Sequence, residues 1–174
     1  MHPTILTVAG RYFDFTEPAA SIFEIGEIAH ALAHICRFTG HTRRFYSVAE
    51  HCWHVSHLVP RGDELAGLLH DAPEAFIGDV VKPLKMLLPD YAVIEARVEA
   101  AVLSRFGLSA DLPPAVKAAD AMMLRVEQDQ AMGAADHDWG LGALSPQAKL
   151  VRLEFWEPAE AAMMFLRRFE ELTS

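Results

Sequence analysis

Beyond Pro18, apolar residues recur at three- and four-residue intervals along almost the whole chain, the period of helices that bury one face. Before Pro18 the pattern differs. Residues 4–15 hold two short β-prone runs on either side of Ala9-Gly10, which predicts a short hairpin. Two Ser-x-x-Glu boxes set helix starts. Ser21 with Glu24 opens a helix to about Phe38, closed by Gly40, and Ser47 with Glu50 opens another to about Leu58. Asp63 can cap a third helix in which Leu65-Ala66-Gly67-Leu68-Leu69 is apolar on every side, so it belongs in the middle of the core. A fourth helix is expected from Asp90 to about Phe106, and a fifth from Pro113 or Pro114 to Gly133. A short segment follows at Ser145-Pro146, and the last helix begins at Pro158. The expectation is an all-α fold with a small N-terminal β ornament.

Composition narrows the function classes. A chain of 174 residues without repeats or a convincing linker suggests one domain over residues 1–174, large enough for a core without disulfide staples. The net charge of -9 argues against coating a nucleic-acid polymer, which needs a basic face. No apolar run approaches membrane-spanning length, and Met1-His2-Pro3-Thr4 lacks the pattern of a signal peptide. Cys36 and Cys52 without CxxC spacing suit a reducing compartment, so a cytoplasmic location is expected.

Histidine is the most uneven component. Seven of the nine (His30, His34, His41, His51, His54, His57 and His70) fall between positions 30 and 70. His51 lies at the edge of the stripe Val48, Cys52, Val55, Val59 and should point inward. His54 and His57 lie about 60° and 120° further round, so the three rings cannot share one ion. His54 then reads as a supporting residue and His57 as surface. His30 and His34 sit on a mostly apolar helix, where packing or a supporting contact is expected.

His70-Asp71 ends the buried third helix. Pro73 disfavours helical backbone at Ala72, so the helix should end or kink near Asp71 and free the Leu69 carbonyl. A helix-end His beside a solvated Asp is the ordinary alternative. Asp120 falls inside the apolar stripe of Val116, Ala119, Met123 and Val126, where a carboxylate must meet a cation, a metal or several hydrogen bonds. A structural salt bridge would satisfy it equally. Taken together, His51, His70, Asp71 and Asp120 supply two imidazoles and two carboxylates from three helices. That set suits one divalent metal ion, among Mn, Co, Fe, Zn, Ni or Mg, with positions left for water and substrate.

The ordered segments Val48-Ala49-Glu50-His51, Leu68-Leu69-His70-Asp71-Ala72-Pro73-Glu74, Gly78-Asp79 and Lys117-Ala118-Ala119-Asp120-Ala121 resemble the H…HD…D signature of the HD-domain metal-dependent phosphohydrolases. Within that superfamily the chain is most similar to the small bacterial 5'-deoxynucleotidases, over roughly residues 25–135. The resemblance implies an HD-type helical bundle and the same four metal ligands. It also implies that Glu74 positions or deprotonates the attacking water, and that Asp79 assists the leaving group or binds the sugar. Arg37-Phe38 stands in the place of an Arg-Trp pair that contacts phosphate and sugar, with Phe for Trp and one residue less before His51. Arg43 and Arg44 are rival phosphate ligands. The resemblance further implies a homodimer. The function expected is hydrolysis of the phosphomonoester of a nucleoside or deoxynucleoside 5'-monophosphate. The alternatives are a non-catalytic nucleotide-sensing module and a phosphodiester or pyrophosphate hydrolase.

Overall fold

The computed structural model describes residues 2–133, 139, 143 and 145–174. The Asp136-His137-Asp138 cluster of the sequence lies outside the described residues.

The chain starts with an antiparallel hairpin, β1 (Thr4–Leu6) and β2 (Tyr12–Asp14), in which Ile5 pairs with Phe13. Phe13 points inward and stacks on Phe76, with ring centroids 3.9 Å apart, so this small ornament is anchored to the core by one aromatic residue. The helices are α1 (Ile25–His34), α2 (Val48–Leu58), α3 (Glu64–Leu69), α4 (Glu74–Ile77), α5 (Lys82–Lys85), α6 (Pro89–Arg105), α7 (Pro114–Gln130) and α8 (Pro158–Thr173). Short 3₁₀ turns at Pro18–Ala20, Arg37–Gly40 and Ala148–Leu150 complete the described elements. The all-α expectation with a short hairpin holds. Among the described residues no helix is long and apolar enough to cross a membrane.

Helix α2 is the hub, packing against α1, α3, α7 and α8. Its residues serve two apolar clusters: Val48, Ala49 and Cys52 join Ile28, Leu32, Leu68, Leu103 and Phe165, while Val55 and Val59 join Val116, Met123 and Val126. Gly67 lets α3 approach α2 closely. A Cβ there would come within 3.1 Å of Ser56 Cα and of Val59 Cγ2, so even a methyl group forces the helices apart.

Several boundaries differ from the sequence expectation, each for a local reason. The first helix begins at Ile25, because the Glu27 carboxylate accepts from the Glu24 N–H, while Ser21 Oγ instead accepts from Asp14 N–H and ties down the hairpin. It ends at His34 rather than Phe38, since Ile35 and Cys36 turn extended and Cys36 bridges to Ser47. Ser47 caps α2 as expected, accepting from Glu50 N–H, but Glu50 does not reach back. Its fully buried carboxylate accepts instead from the N–H groups of Glu154, Phe155 and Trp156 at 2.7, 3.0 and 2.9 Å. Helix α3 ends before Asp71 as Pro73 requires, yet the Leu69 carbonyl is not left free. It accepts from Ala72 N–H at 3.0 Å, and the chain restarts at once as α4.

Candidate metal centre

Each element delivers one part of the site. Helix α2 presents His51, fully buried; the turn between α3 and α4 presents His70 and Asp71; α7 presents Asp120. Their donor atoms converge. His51 Nε2 lies 3.3 Å from His70 Nε2, 3.6 Å from Asp71 Oδ2 and 3.2 Å from Asp120 Oδ1, and His70 Nε2 lies 3.2 Å from Asp71 Oδ2. Donors held about 2.0–2.2 Å from a shared cation stand roughly 3–3.5 Å from one another, so the spacing fits an ion and the N/O donor types suit a divalent one. The His51, His70 and Asp120 atoms all lie within 4.8 Å of each other, as do those of Cys52, His70 and Asp71.

The electrostatics follow from crowding charge into a dry place. Burial alone would lower both imidazoles, but Asp71 holds His70 well above the ordinary histidine value, and Glu127 with Asp120 raises His51 although Arg37 opposes it. Asp71 is the counterpart: burial would raise it, and His70, then His51 and Arg37, hold it far below the usual carboxylate range. Glu74 goes the other way. Burial first, then the charges of Asp71 and Asp79, push it well above the ordinary value, and its Oε2 is buried without a hydrogen-bond partner. Burial likewise raises Asp79, with Asp71 adding to it and Arg37 opposing. Gly78, at φ +77°, makes the turn that separates Asp79 from α4, a backbone that side-chain-bearing residues rarely adopt.

Arg37 is the cation of the site. Its Nη1 lies 3.6 Å from Asp71 Oδ2 and 4.0 Å from Asp79 Oδ2, and its buried Nε has no partner. The next two residues, Phe38 and Thr39, carry φ of +54° and +56°, a left-handed pair without glycine that bends the chain sharply after Arg37. The Phe38 ring sits against Arg37, its centroid 5.4 Å from Cζ, and 6.0 Å from the Trp139 ring.

Other expected residues are used elsewhere. Arg43 donates to the Met132 carbonyl and its own N–H donates to the Ala131 carbonyl, closing the end of α7. Arg44 lies over the Phe155 ring at 4.4 Å. Both are therefore engaged in structural contacts rather than in the convergent cluster. His54 is buried beside Glu50 and Trp156, not beside His51, and His57 is exposed as expected. His30 and His34 are exposed, with rings 4.2 Å apart, rather than packed or supporting the centre.

Two residues of the site escaped the sequence reading. Cys52 was read as apolar filler and is indeed fully buried, with its thiol pushed up to about 11 by burial, but it borders His70 and Asp71. Glu127 lies seven residues after Asp120, hence on the same face of α7, and is fully buried. That i+7 relation was the available signal.

The Escherichia coli (strain K12) uncharacterized protein YfdR is 36% identical over 170 residues, covering 97% of this chain and 95% of the relative. The chain belongs to the YfdR family. The uncharacterized Rhodobacter capsulatus protein RCAP_rcc00048 matches YfdR-like over the same extent, 36% identical across 182 residues, with 95% of this chain and 93% of that protein covered. No family model matches the sequence. Membership of the YfdR family thus spans the hairpin, the hub helix and the candidate centre together.

Proposed function

We propose that the protein is a metal-dependent phosphohydrolase of the HD type that cleaves the phosphomonoester of nucleoside 5'-monophosphates. The observation that carries the reading is the convergence of His51, His70, Asp71 and Asp120 beside a buried arginine whose Nε is unpaired. The ordered H…HD…D resemblance supports it.

His51, His70, Asp71 and Asp120 would hold the cation. A divalent ion bound there would polarise a phosphoryl oxygen and make a coordinated water acidic near neutral pH. The protein's own groups do the rest. Arg37 offers its Nε and Nη1 edge to a phosphate, the two-pronged geometry that suits an oxyanion. Asp71, 3.6 Å away, keeps that edge aimed at the metal donors. Glu74, buried and raised, is poised to take a proton from water, because its carboxyl gains one more readily than an exposed glutamate. Asp79, raised as well, can hold a proton for the departing sugar oxygen. Phe38 provides an apolar wall next to Arg37.

The test loads purified protein with Mn²⁺, Co²⁺ or Mg²⁺ and measures phosphate release from ribo- and deoxyribonucleoside monophosphates, with diesters and pyrophosphates alongside. Release from monophosphates is expected, and its loss on Asp71→Ala. Folded, metal-loaded protein that releases phosphate from none of them overturns the reading. Nucleotide binding without turnover would then identify a sensing module.

A further inference from the structure

One carboxylate at the centre is not accounted for by metal ligation or proton transfer. Glu127 sits fully buried in α7 and spends both oxygens on the site. Oε1 accepts from His51 Nδ1 at 2.6 Å and from the Tyr46 hydroxyl at 3.0 Å; Oε2 accepts from Arg37 Nη2 at 3.1 Å. A buried ionic network of this kind is weak evidence for stability, since well-packed apolar residues often do as well or better. Its neighbours on the same face, Met123 and Val126, show what packing alone would have placed there. The two cationic groups it joins are the metal ligand His51 and the anion-binding Arg37, which come from different elements.

We propose that Glu127 is a positioning residue that fixes His51 for the metal and Arg37 for the phosphate through one carboxylate. By accepting from Nδ1, it holds the His51 ring with Nε2 turned to Asp120, Asp71 and His70. By accepting from Nη2, it occupies one corner of the guanidinium and leaves the Nη1 and Nε edge facing the site. The two imidazoles are not equivalent: His70 Nδ1 donates only to the neutral Gly67 carbonyl, 2.8 Å away. His51 is therefore the more electron-rich ligand, and cation and anion affinity share a single support. This rests on metal binding at the centre, and it concerns affinity rather than turnover.

The experiment compares wild type, Glu127→Gln and Tyr46→Phe by calorimetric titration with Co²⁺ alone, then of the Co²⁺-loaded proteins with inorganic phosphate. A glutamine of the same shape must turn an N–H toward either His51 or Arg37, donor against donor. Its Co²⁺ affinity should fall about 10–100-fold, the usual effect of losing such an outer partner, and phosphate affinity should fall with it. Tyr46→Phe, which leaves both links intact, should stay within a fewfold of wild type. Unchanged Co²⁺ and phosphate affinities in folded Glu127→Gln overturn the proposal. Should that variant not fold, the ¹⁵N shifts of His51 in Zn²⁺-loaded wild type decide: a protonated Nδ1 supports it, and a metal-bound Nδ1 overturns it. Wild type that binds both ions but hydrolyses no monophosphate would sink the hydrolase reading and leave this one standing.

Discussion

Glu74 and Asp71 are three residues apart and both are carboxylates in the same buried neighbourhood, yet their environments drive them in opposite directions. Asp71 faces His70, His51 and Arg37 and is held as an anion, whereas Glu74 faces Asp71 and Asp79 and resists ionisation. Such divergence separates a ligand from a proton acceptor. The expected outcome for Glu74→Gln is metal binding within a fewfold of wild type and a loss of phosphate release of about 10²–10⁴-fold, measured as Co²⁺ affinity and initial rate on the same preparation. At this scale the four convergent ligand residues were legible, because a carboxylate on an apolar stripe (Asp120) and a His-Asp pair ahead of a proline (Asp71, Pro73) each break a local rule. Glu127 broke the same rule and was overlooked, since a glutamate three residues before the end of a helix looks like ordinary solvated surface. Arg43 and Arg44 illustrate the opposite error. Nothing in a run of two arginines says that one will close a helix end and the other will cover a phenylalanine.

The centre depends on how tightly α3 lies on α2, because His51 rides on one and His70 follows the other. Gly67 sets that distance twice over: its missing side chain admits Ser56 and Val59, and its carbonyl accepts from His70 Nδ1. Gly67→Ala should therefore cost about 1–3 kcal/mol in urea unfolding and also weaken Co²⁺ binding, although residue 67 touches no ligand position. An alanine variant with wild-type affinity would mean that the helix pair can spread without moving its imidazoles. Element types and order were readable from periodicity, since amphipathic stripes and proline starts survive in any packing. Ends were harder. The first helix lost its final turn to Ile35 and Cys36, whose bridge to Ser47 is a contact between distant positions, and the left-handed pair Phe38-Thr39 has no glycine to announce it.

Across the whole molecule, charge is concentrated at joints between parts. The hairpin is held to α1 by Glu27, whose nearly buried carboxylate accepts from Thr7 and from Arg11 Nη2, while Arg11 Nη1 reaches Glu24 at 3.2 Å. Burial alone would raise Glu27, but its bonds to Arg11 and then Thr7 hold it below its ordinary value of 4.5. A carboxyl depressed by folding stabilises the native state fully above its unfolded value, and that contribution is lost as pH falls below about 4.5. Hydrogen exchange at β1 and β2 should thus accelerate on acidification through that range, and Glu27→Gln should show the faster exchange already at neutral pH with no further acid step there. Glu50 makes the longest joint of all, binding the backbone of residues 154–156 from the first turn of the hub helix. Synthesis runs in the opposite sense to this dependence. Every ligand of the centre has left the ribosome by residue 120, but the helix that carries His51 keeps an unsatisfied buried carboxylate, and lacks the packing of α8, until the C-terminal segment emerges. Nascent chains arrested before residue 154 should fail to retain Co²⁺ while chains released at full length retain it, so the cell obtains a metal-competent protein only after translation has ended.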